Sequence, residues 1–577
     1  MAAAFLAALT GAAFLVRVWG ITFPPYHGDE GWNYVVLAVN YFSGDFNPHH
    51  FHNPTLTSYL MYGLYYLWYL AGSAAGSFRG PIDMLAQYQY TPQPFYVLGR
   101  LVSVTLGALT VPVVFAVARR VYGRRAAWLA ALFMAFAFLH VRDSHFAVSD
   151  VPLTFWVMLC VFFALRWQQG QGERAWLNGI WAGLCLGMAM ATKYTAISLC
   201  LTIAWAGLVV GSPVFGRHPI RAVVGRSFGR RSLMVLGALS WAVPGFFLAC
   251  PYCFLDLDSV RASLSAISEN AQAGFLGMRL SGLTGFPFYL MTLGWGLGWP
   301  LLALGVGGAV MAAWRNRRED WLLLMYPVVL YVLQATQVMV YARFIIPAIP
   351  FLAIFAGSAT DRLVSTLTAP AGSLPRTAGD RVRRTVLALA AVAVAALAWP
   401  VTSVARADYL FTQPDTRDLA LDWLQRHVDA DALIIREWQT PCLPSLDQAC
   451  PGSGGYVFNA ELIPRVGLGT YPLSYYRERH VDYLVASSYV WPVPSYDIDV
   501  ERVRAQFYRD LDDQAELAAV FRPYAGDTDA GEPPFVNDMV YGPATSLFDL
   551  ERLGPTIKIY RLRDTGAAVR PDLPRPR

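Results

Sequence analysis

Two short stretches near the start of the chain carry side chains able to do chemistry: His27-Gly-Asp29-Glu30 and His49-His50-Phe-His52-Asn53-Pro54. Adjacent carboxylates offer a general base. Ionisable groups set in a loop otherwise rich in Tyr, Trp, Phe and Pro must find partners, a ligand or water. Farther along stand Arg142-Asp143-Ser-His145, Asp150, Lys193, and Arg343 in Tyr341-Ala-Arg-Phe-Ile-Ile-Pro347. The sequence has only two lysines, Lys193 and Lys558, so a compact ammonium is wanted at position 193, between two apolar runs. An acidic pair with separate cations fits transfer from a phosphate leaving group. Plainer readings exist beside this one. Asp150-Val-Pro152 is also a helix start with an acidic cap and a first-turn proline, and Arg343 at a helix end can snorkel.

The elements that must position these residues are membrane helices. Of 577 residues, 55% are hydrophobic and only 15% charged, too apolar for a soluble protein of this size. Residues 1–404 hold 27 Lys+Arg against 14 Asp+Glu, whereas residues 405–577 hold 18 against 26, so two domains of different character follow. The net charge of +5 reflects arginines between hydrophobic runs and does not indicate a nucleic-acid partner. Eleven spans are expected, at about 3–22, 95–118, 126–140, 150–167, 176–192, 194–211, 233–250, 286–313, 321–339, 344–360 and 385–404. The first is read as a retained helix, since it lacks a basic leading segment and carries Arg17 late. Residues 55–72, with six aromatic side chains, are read as an interfacial helix.

Charge bias sets the sidedness. The loops 119–125, 168–175, 212–232, 314–320 and 361–384 hold 18 Arg and are assigned to the cytoplasm; the other loops hold six basic residues, among them Arg79, Arg261 and Arg279. The first outer loop, 23–94, and its neighbours then collect nine of the fourteen acidic residues and six of the nine histidines of their respective sets. An odd span count puts residues 405–577 on the same, non-cytoplasmic side.

That C-terminal region is expected to be a small soluble α/β domain, with a helical pattern at 418–427 and β-like runs at 432–435, 483–485 and 556–560. The Gly-rich stretch 451–455 lacks the strand-Gly-helix context of a nucleotide site and reads as a loop. Cys442 and Cys450 are spaced to close a disulfide in an oxidising compartment. Cys160, Cys185 and Cys200 sit in apolar runs as small hydrophobes. Cys250-Pro-Tyr-Cys253 invites a redox reading, which its lack of a thioredoxin-like surrounding does not favour.

Six segments in order, HGDEGWNY (27–34), HNPTL (52–56), LGRLVSVTLGALTVPVV (98–114), RDSHFAVSDVPLTF (142–155), GLCLGMAMATKYTAI (183–197) and YARFIIPAIPFLAI (341–354), resemble a family of membrane enzymes. They are similar to the GT-C membrane glycosyltransferases of the protein-O-mannosyltransferase and aminoarabinose-transferase superfamily. The resemblance implies a polytopic GT-C domain over 1–404 and a sugar donor carried on a polyprenyl phosphate. It implies transfer to a glycan, lipid or protein acceptor at the outer leaflet of a plasma or inner membrane, with inversion. Asp29 would be the catalytic acid-base residue with Glu30 beside it; Arg100, Asp150, Lys193 and Arg343 fall at landmarks around the cavity. Arg142, His145, His52, Asn53 and Tyr341 lie in the same segments and join the donor-binding set. Where the aminoarabinose-transferase branch carries Lys before Pro, this chain has Asn53, which argues against lipid A modification. A monophosphate leaving group can be met by cations alone, so no metal is required; His50 and His52 make a divalent metal optional. The rival reading, a transporter or flippase of lipid-linked sugars, would call for mid-membrane charges, broken helices and internal repeats. A non-catalytic scaffold would leave the Asp29-Glu30 pair unexplained.

Overall fold

The computed structural model describes residues 2–24, 27–170, 172–210, 228–273, 285–337, 340–368, 378–429, 431–443, 457–463, 467–491, 498–524 and 546–562. The loop 212–226, residues 369–377, Arg279, Cys450 and the Gly-rich stretch 451–455 lie outside the described residues. The chain divides into two compact units, one running to Thr412 with a short return ending at Phe548, the other starting at Gln413.

The first unit is helical. Five of its described helices are long and apolar enough to cross a membrane, Gln93–Tyr122, Asp150–Gln169, Gly229–Ala249, Ala342–Leu367 and Arg383–Leu410, rising to seven when each of two bent pairs is one span. The apolar stretch of Ala342–Leu367 is 83% buried and that of Arg383–Leu410 only 17%, so the first is a central helix and the second turns its apolar surface outward, as lipid contact requires. Helices pack closely where side chains vanish. A Cβ on Gly187 would meet Ala242 O at 2.3 Å, and one on Gly245 would meet Leu184 O at 2.5 Å, so glycines let the backbones of these two helices touch.

Two expected spans are interrupted. Residues 286–313 form two helices, Gly285–Leu297 and Trp299–Arg315, bent by 118°. Gly298 adopts φ 77°, open to glycine, and Pro300 enters the next helix in its first turn, where its missing N–H costs nothing. Residues 126–140 similarly break by 50° between Ala135 and Phe138. Hydrophobic run length sees neither break, because both sides are equally apolar.

The aromatic segment 55–72 folds as a helix, Leu56–Ala74, and is not among those long and apolar enough to span. Its tyrosines interlock with the first loop: Phe42 meets Tyr62 and Tyr69 at ring distances of 5.1 and 6.0 Å, and the Tyr65 hydroxyl donates to Phe95 O at 2.7 Å.

The second unit is a five-stranded sheet of β1 (Leu433–Glu437), β2 (Asn459–Ile463), β3 (Tyr483–Ser487), β4 (Glu516–Phe521) and β5 (Ile557–Arg561), in the order β2-β1-β3-β5-β4. β2, β1 and β3 run parallel; β5 pairs antiparallel with β3 and β4. The helix Thr416–His427 begins at a capping box in which Asp415 accepts from Arg417 N. Cys442 is disulfide-bonded.

Candidate active site

Asp29, Asp150, Lys193 and Arg343 converge, although 314 positions separate the first from the last. Lys193 Nζ lies 2.6 Å from Asp150 Oδ1. Arg343 Nε lies 3.6 Å from Asp150 Oδ2, and its Nη2 lies 3.2 Å from Asp29 Oδ2. Charges therefore alternate along the chain Lys193, Asp150, Arg343, Asp29. Exposure grades along it too: the Asp150 side chain is 3% exposed, Arg343 14%, Lys193 19% and Asp29 40%. Asp150 is the buried hub, and Asp29 is the end that solvent or a ligand reaches.

Each member is placed by a local irregularity. Asp29 sits in the short turn Gly28–Glu30 that runs into a π-helical stretch, Gly31–Val35, whose wider coil is a frequent functional device. Asp150 opens the helix Asp150–Gln169, where backbone N–H groups favour a carboxylate. Lys193 is extended, at φ −158° and ψ 131°, between the end of one helix at Met190 and the 3₁₀ turn Tyr194–Ser198. Arg343 occupies a second 3₁₀ segment, Ala342–Ala348, entered through extended Tyr341. Phe344 lies beneath Lys193 Nζ at 4.2 Å and Tyr341 beneath the Arg343 guanidinium at 4.3 Å, so aromatic faces seat both cations.

Glu30, next to Asp29 in sequence, is placed quite differently. Its carboxylate is wholly buried, taking Arg100 Nη2 at 2.6 Å, Arg100 Nε at 2.8 Å and Ala147 N at 2.6 Å. The remaining N–H groups of Arg100 go to the carbonyls of Ile21, Phe23 and Pro24. A guanidinium has five N–H donors, and this one has spent them inside the protein.

The other expected site residues distribute as follows. Arg142 pairs with Asp143 at 2.8 Å, both buried. The ring nitrogens of buried His145 lie 3.0 Å from Val141 O and 2.9 Å from Trp19 O. His52 and Asn53 are half-buried in the first loop, with the His52 ring stacked on His50 at 4.1 Å; burial lowers the pKa of both imidazoles. Among the described residues, no three His, Cys, Asp or Glu side chains gather as a metal-ligand set.

Two contacts lay beyond sequence reasoning. Tyr34, buried in the π-helical stretch, donates to Ser149 Oγ at 2.8 Å and ties the Asp29 turn to the residue before Asp150. Its signal, a tyrosine one turn beyond Glu30, is common to any helix. At the rim, Asn47 Nδ2 donates to Asp256 Oδ2 at 2.8 Å and fastens the first loop to residue 256, while inside the loop His49 Nε2 lies 2.9 Å from Asp45 Oδ2. These hydrogen bonds hold the exposed Asp45 and half-buried Asp256 carboxyls below the usual range.

Residues 7–215 match the family model for dolichyl-phosphate-mannose-protein mannosyltransferase. Over 147 residues the chain is 28% identical to dolichyl-phosphate-mannose–protein mannosyltransferase 1 of Saccharomyces cerevisiae, a match covering 24% of this chain and 17% of that relative. In fold it is similar to the Archaeoglobus fulgidus oligosaccharyltransferase AglB, solved with an inhibitory peptide and a dolichol-phosphate, at TM-score 0.51 and 13% identity over 96% of this chain and 88% of that one. It is similar as well to ArnT from Cupriavidus metallidurans, at TM-score 0.50 and 17% identity over 90% of this chain and 97% of that one. Matched in sequence over its first third and in fold over most of its length, the chain resembles the GT-C membrane glycosyltransferases.

Proposed function

We propose that this chain is a membrane glycosyltransferase that moves a sugar from a polyprenyl-phosphate donor to an acceptor hydroxyl on the non-cytoplasmic side of the cell membrane. The observation that carries the reading is the alternating network itself: one accessible carboxylate, two cations, and a buried carboxylate that holds the cations in place. In the reaction, the acceptor hydroxyl gives its proton to Asp29 as its oxygen attacks the anomeric carbon. The bond from that carbon to the phosphate oxygen breaks, and the phosphate leaves with the electron pair. Lys193 and Arg343 meet the charge growing on it, in a site where fixed cations act more strongly than in water. Attack opposite the leaving group inverts the anomeric centre. A dolichol-phosphate carrier in the archaeal relative supports the donor class. Cations alone suffice for a monophosphate, and the reading invokes no metal.

Glu30 and Arg100 act here as positioning residues: their buried ion pair closes the loop Ile21–Pro24 onto the helix Gln93–Tyr122 and so fixes Asp29. The arginine bias supports an outer position for the loops holding Asp29, Lys193 and Arg343 and for the C-terminal unit, on the reading of eleven crossings. The acceptor is a glycan, lipid or protein hydroxyl.

The test uses the full chain in sealed proteoliposomes with radiolabelled polyprenyl-phosphate sugars and a membrane extract. A labelled acceptor product is expected. Recovery of all label as unreacted lipid-linked sugar, across donors of several sugars, contradicts the reading; label moving between leaflets without a new glycosidic bond favours a flippase.

A further inference from the structure

Cys250-Pro-Tyr-Cys253 lies where three segments of the first unit meet. The helix Ala242–Ala249 ends at Cys250, Pro251 turns the chain at φ −62° and ψ −38°, and Cys253 N donates back to Cys250 O at 3.2 Å. A turn closed in this way keeps its end Cα atoms within about 7 Å, and disulfides span Cα separations of about 4.4–6.8 Å. Both thiols are free, Cys250 fully buried and Cys253 8% exposed, against Phe51, Leu56, Ala191 and Ala249. Cys160, Cys185 and Cys200, by contrast, sit one to a helix among apolar neighbours.

The turn also touches the segments that carry site residues. Cys253 Sγ lies 4.0 Å from the Tyr194 hydroxyl, which donates to Phe51 O at 3.1 Å. Thr55 Oγ1 donates to Ala249 O at 2.7 Å, and Leu56 N donates to Ala191 O at 3.0 Å. Tyr194 follows Lys193 directly. We propose that Cys250 and Cys253 form a reversible dithiol–disulfide couple, whose closure withdraws the Cys253 thiol from Tyr194 and so acts on the segment that carries Lys193. In the balanced exchange, the two thiols lose two protons and two electrons to an external disulfide. One sulfur attacks it to give a mixed disulfide, the second sulfur displaces the remaining thiol, and the external disulfide departs as two thiols.

Mass spectrometry of the full chain in nanodiscs, equilibrated with oxidised and reduced glutathione mixtures and then alkylated after denaturation, reads the couple without any transfer assay. The peptide spanning 250–253 is expected to lose two hydrogens and escape alkylation in oxidising mixtures, and to regain both in reducing ones. Full alkylation of both cysteines at every ratio overturns the proposal. The link to that segment is read with Tyr194→Phe, whose melting temperature is checked against wild type: a severalfold shift in the glutathione ratio at the midpoint is expected. An unchanged midpoint overturns the link while leaving the couple itself standing on the wild-type result.

Discussion

The carboxylates of Asp29 and Glu30 belong to neighbouring residues and to opposite kinds of network. Glu30 is fully buried, receives three N–H groups, and faces a guanidinium with no donor left over. Asp29 is 40% exposed and meets a cation at 3.2 Å that it shares with Asp150 at 3.6 Å. A saturated buried pair resists rearrangement, because removing either partner strands a charge in a low dielectric. The Arg343 links, at 3.2 and 3.6 Å the longest of the network, can exchange partners when a phosphate arrives, while Lys193 stays on Asp150 at 2.6 Å. One loop therefore supplies both a fixed anchor and an available base, and the comparison separates folding effects from chemical ones.

The largest expected effect breaks the anchor. Arg100→Met should lower stability by about 3–5 kcal/mol, read as a fall in melting temperature and loss of monodisperse protein in detergent; near-wild-type stability would mean that the pair does not hold the loop. Next, Lys193→Met should cut transfer about 10²–10³-fold, the usual effect of removing one preorganised charge-stabilising group, while Arg343 remains as counter-charge to Asp150. Wild-type kcat in that variant would remove Lys193 from the mechanism. A smaller effect is expected for Tyr34→Phe, which deletes the hydrogen bond to Ser149 and should cost about 1 kcal/mol, measurable as a modest shift in thermal unfolding.

The C-terminal unit extends the comparison to a different buried carboxylate. Glu437 ends β1 inside the sheet, accepting from Leu468 N at 3.0 Å, Ser487 N and the Tyr508 hydroxyl. It has three donors, as Glu30 does. Burial pushes its carboxyl from 4.5 up to about 7, and burial with the nearby Asp415 pushes Asp418 from 3.8 up to about 6. Both groups bind protons more tightly when folded, so their contribution is complete below their unfolded values and is lost as pH rises through about 6 to 7. Hydrogen exchange in β1 and β3 should accordingly show greater protection at pH 5 than at pH 8 once intrinsic rates are corrected, and Glu437→Gln should flatten that difference. Protection that grows with pH would reverse the sign and count against buried, proton-binding carboxyls.

Much of the site was legible because its residues stand out against an apolar chain. Asp150, Lys193 and Arg343 are isolated polar positions at the ends of hydrophobic runs, Asp29 belongs to a polar cluster in an aromatic-rich loop, and the structure brings all four together. The Glu30–Arg100 pair was not legible, since its partners lie 70 positions apart and neither residue type signals burial. The break at Gly298 hides inside a continuous apolar run, where periodicity carries no information. In the sheet, the inner strands β1, β3 and β5 are rich in Ile, Leu, Val and Tyr and announce themselves. The edge strands β2 (NAELI) and β4 (ELAAVF) contain Glu, Leu and Ala, residues suited to helices, and are strands because a neighbour pairs with them.

The central claim is that Asp29 does the chemistry and Glu30 holds it in place. Transfer from a polyprenyl-phosphate sugar and melting temperature, measured together on Asp29→Asn and Glu30→Gln in the full chain, test it most directly. Asp29→Asn should lower transfer about 10²–10⁴-fold, as expected for loss of a general base, with an unchanged melting temperature. Glu30→Gln should lower the melting temperature, with residual folded protein still active. Wild-type transfer by Asp29→Asn, or loss of transfer by a fully stable Glu30→Gln, would contradict the account.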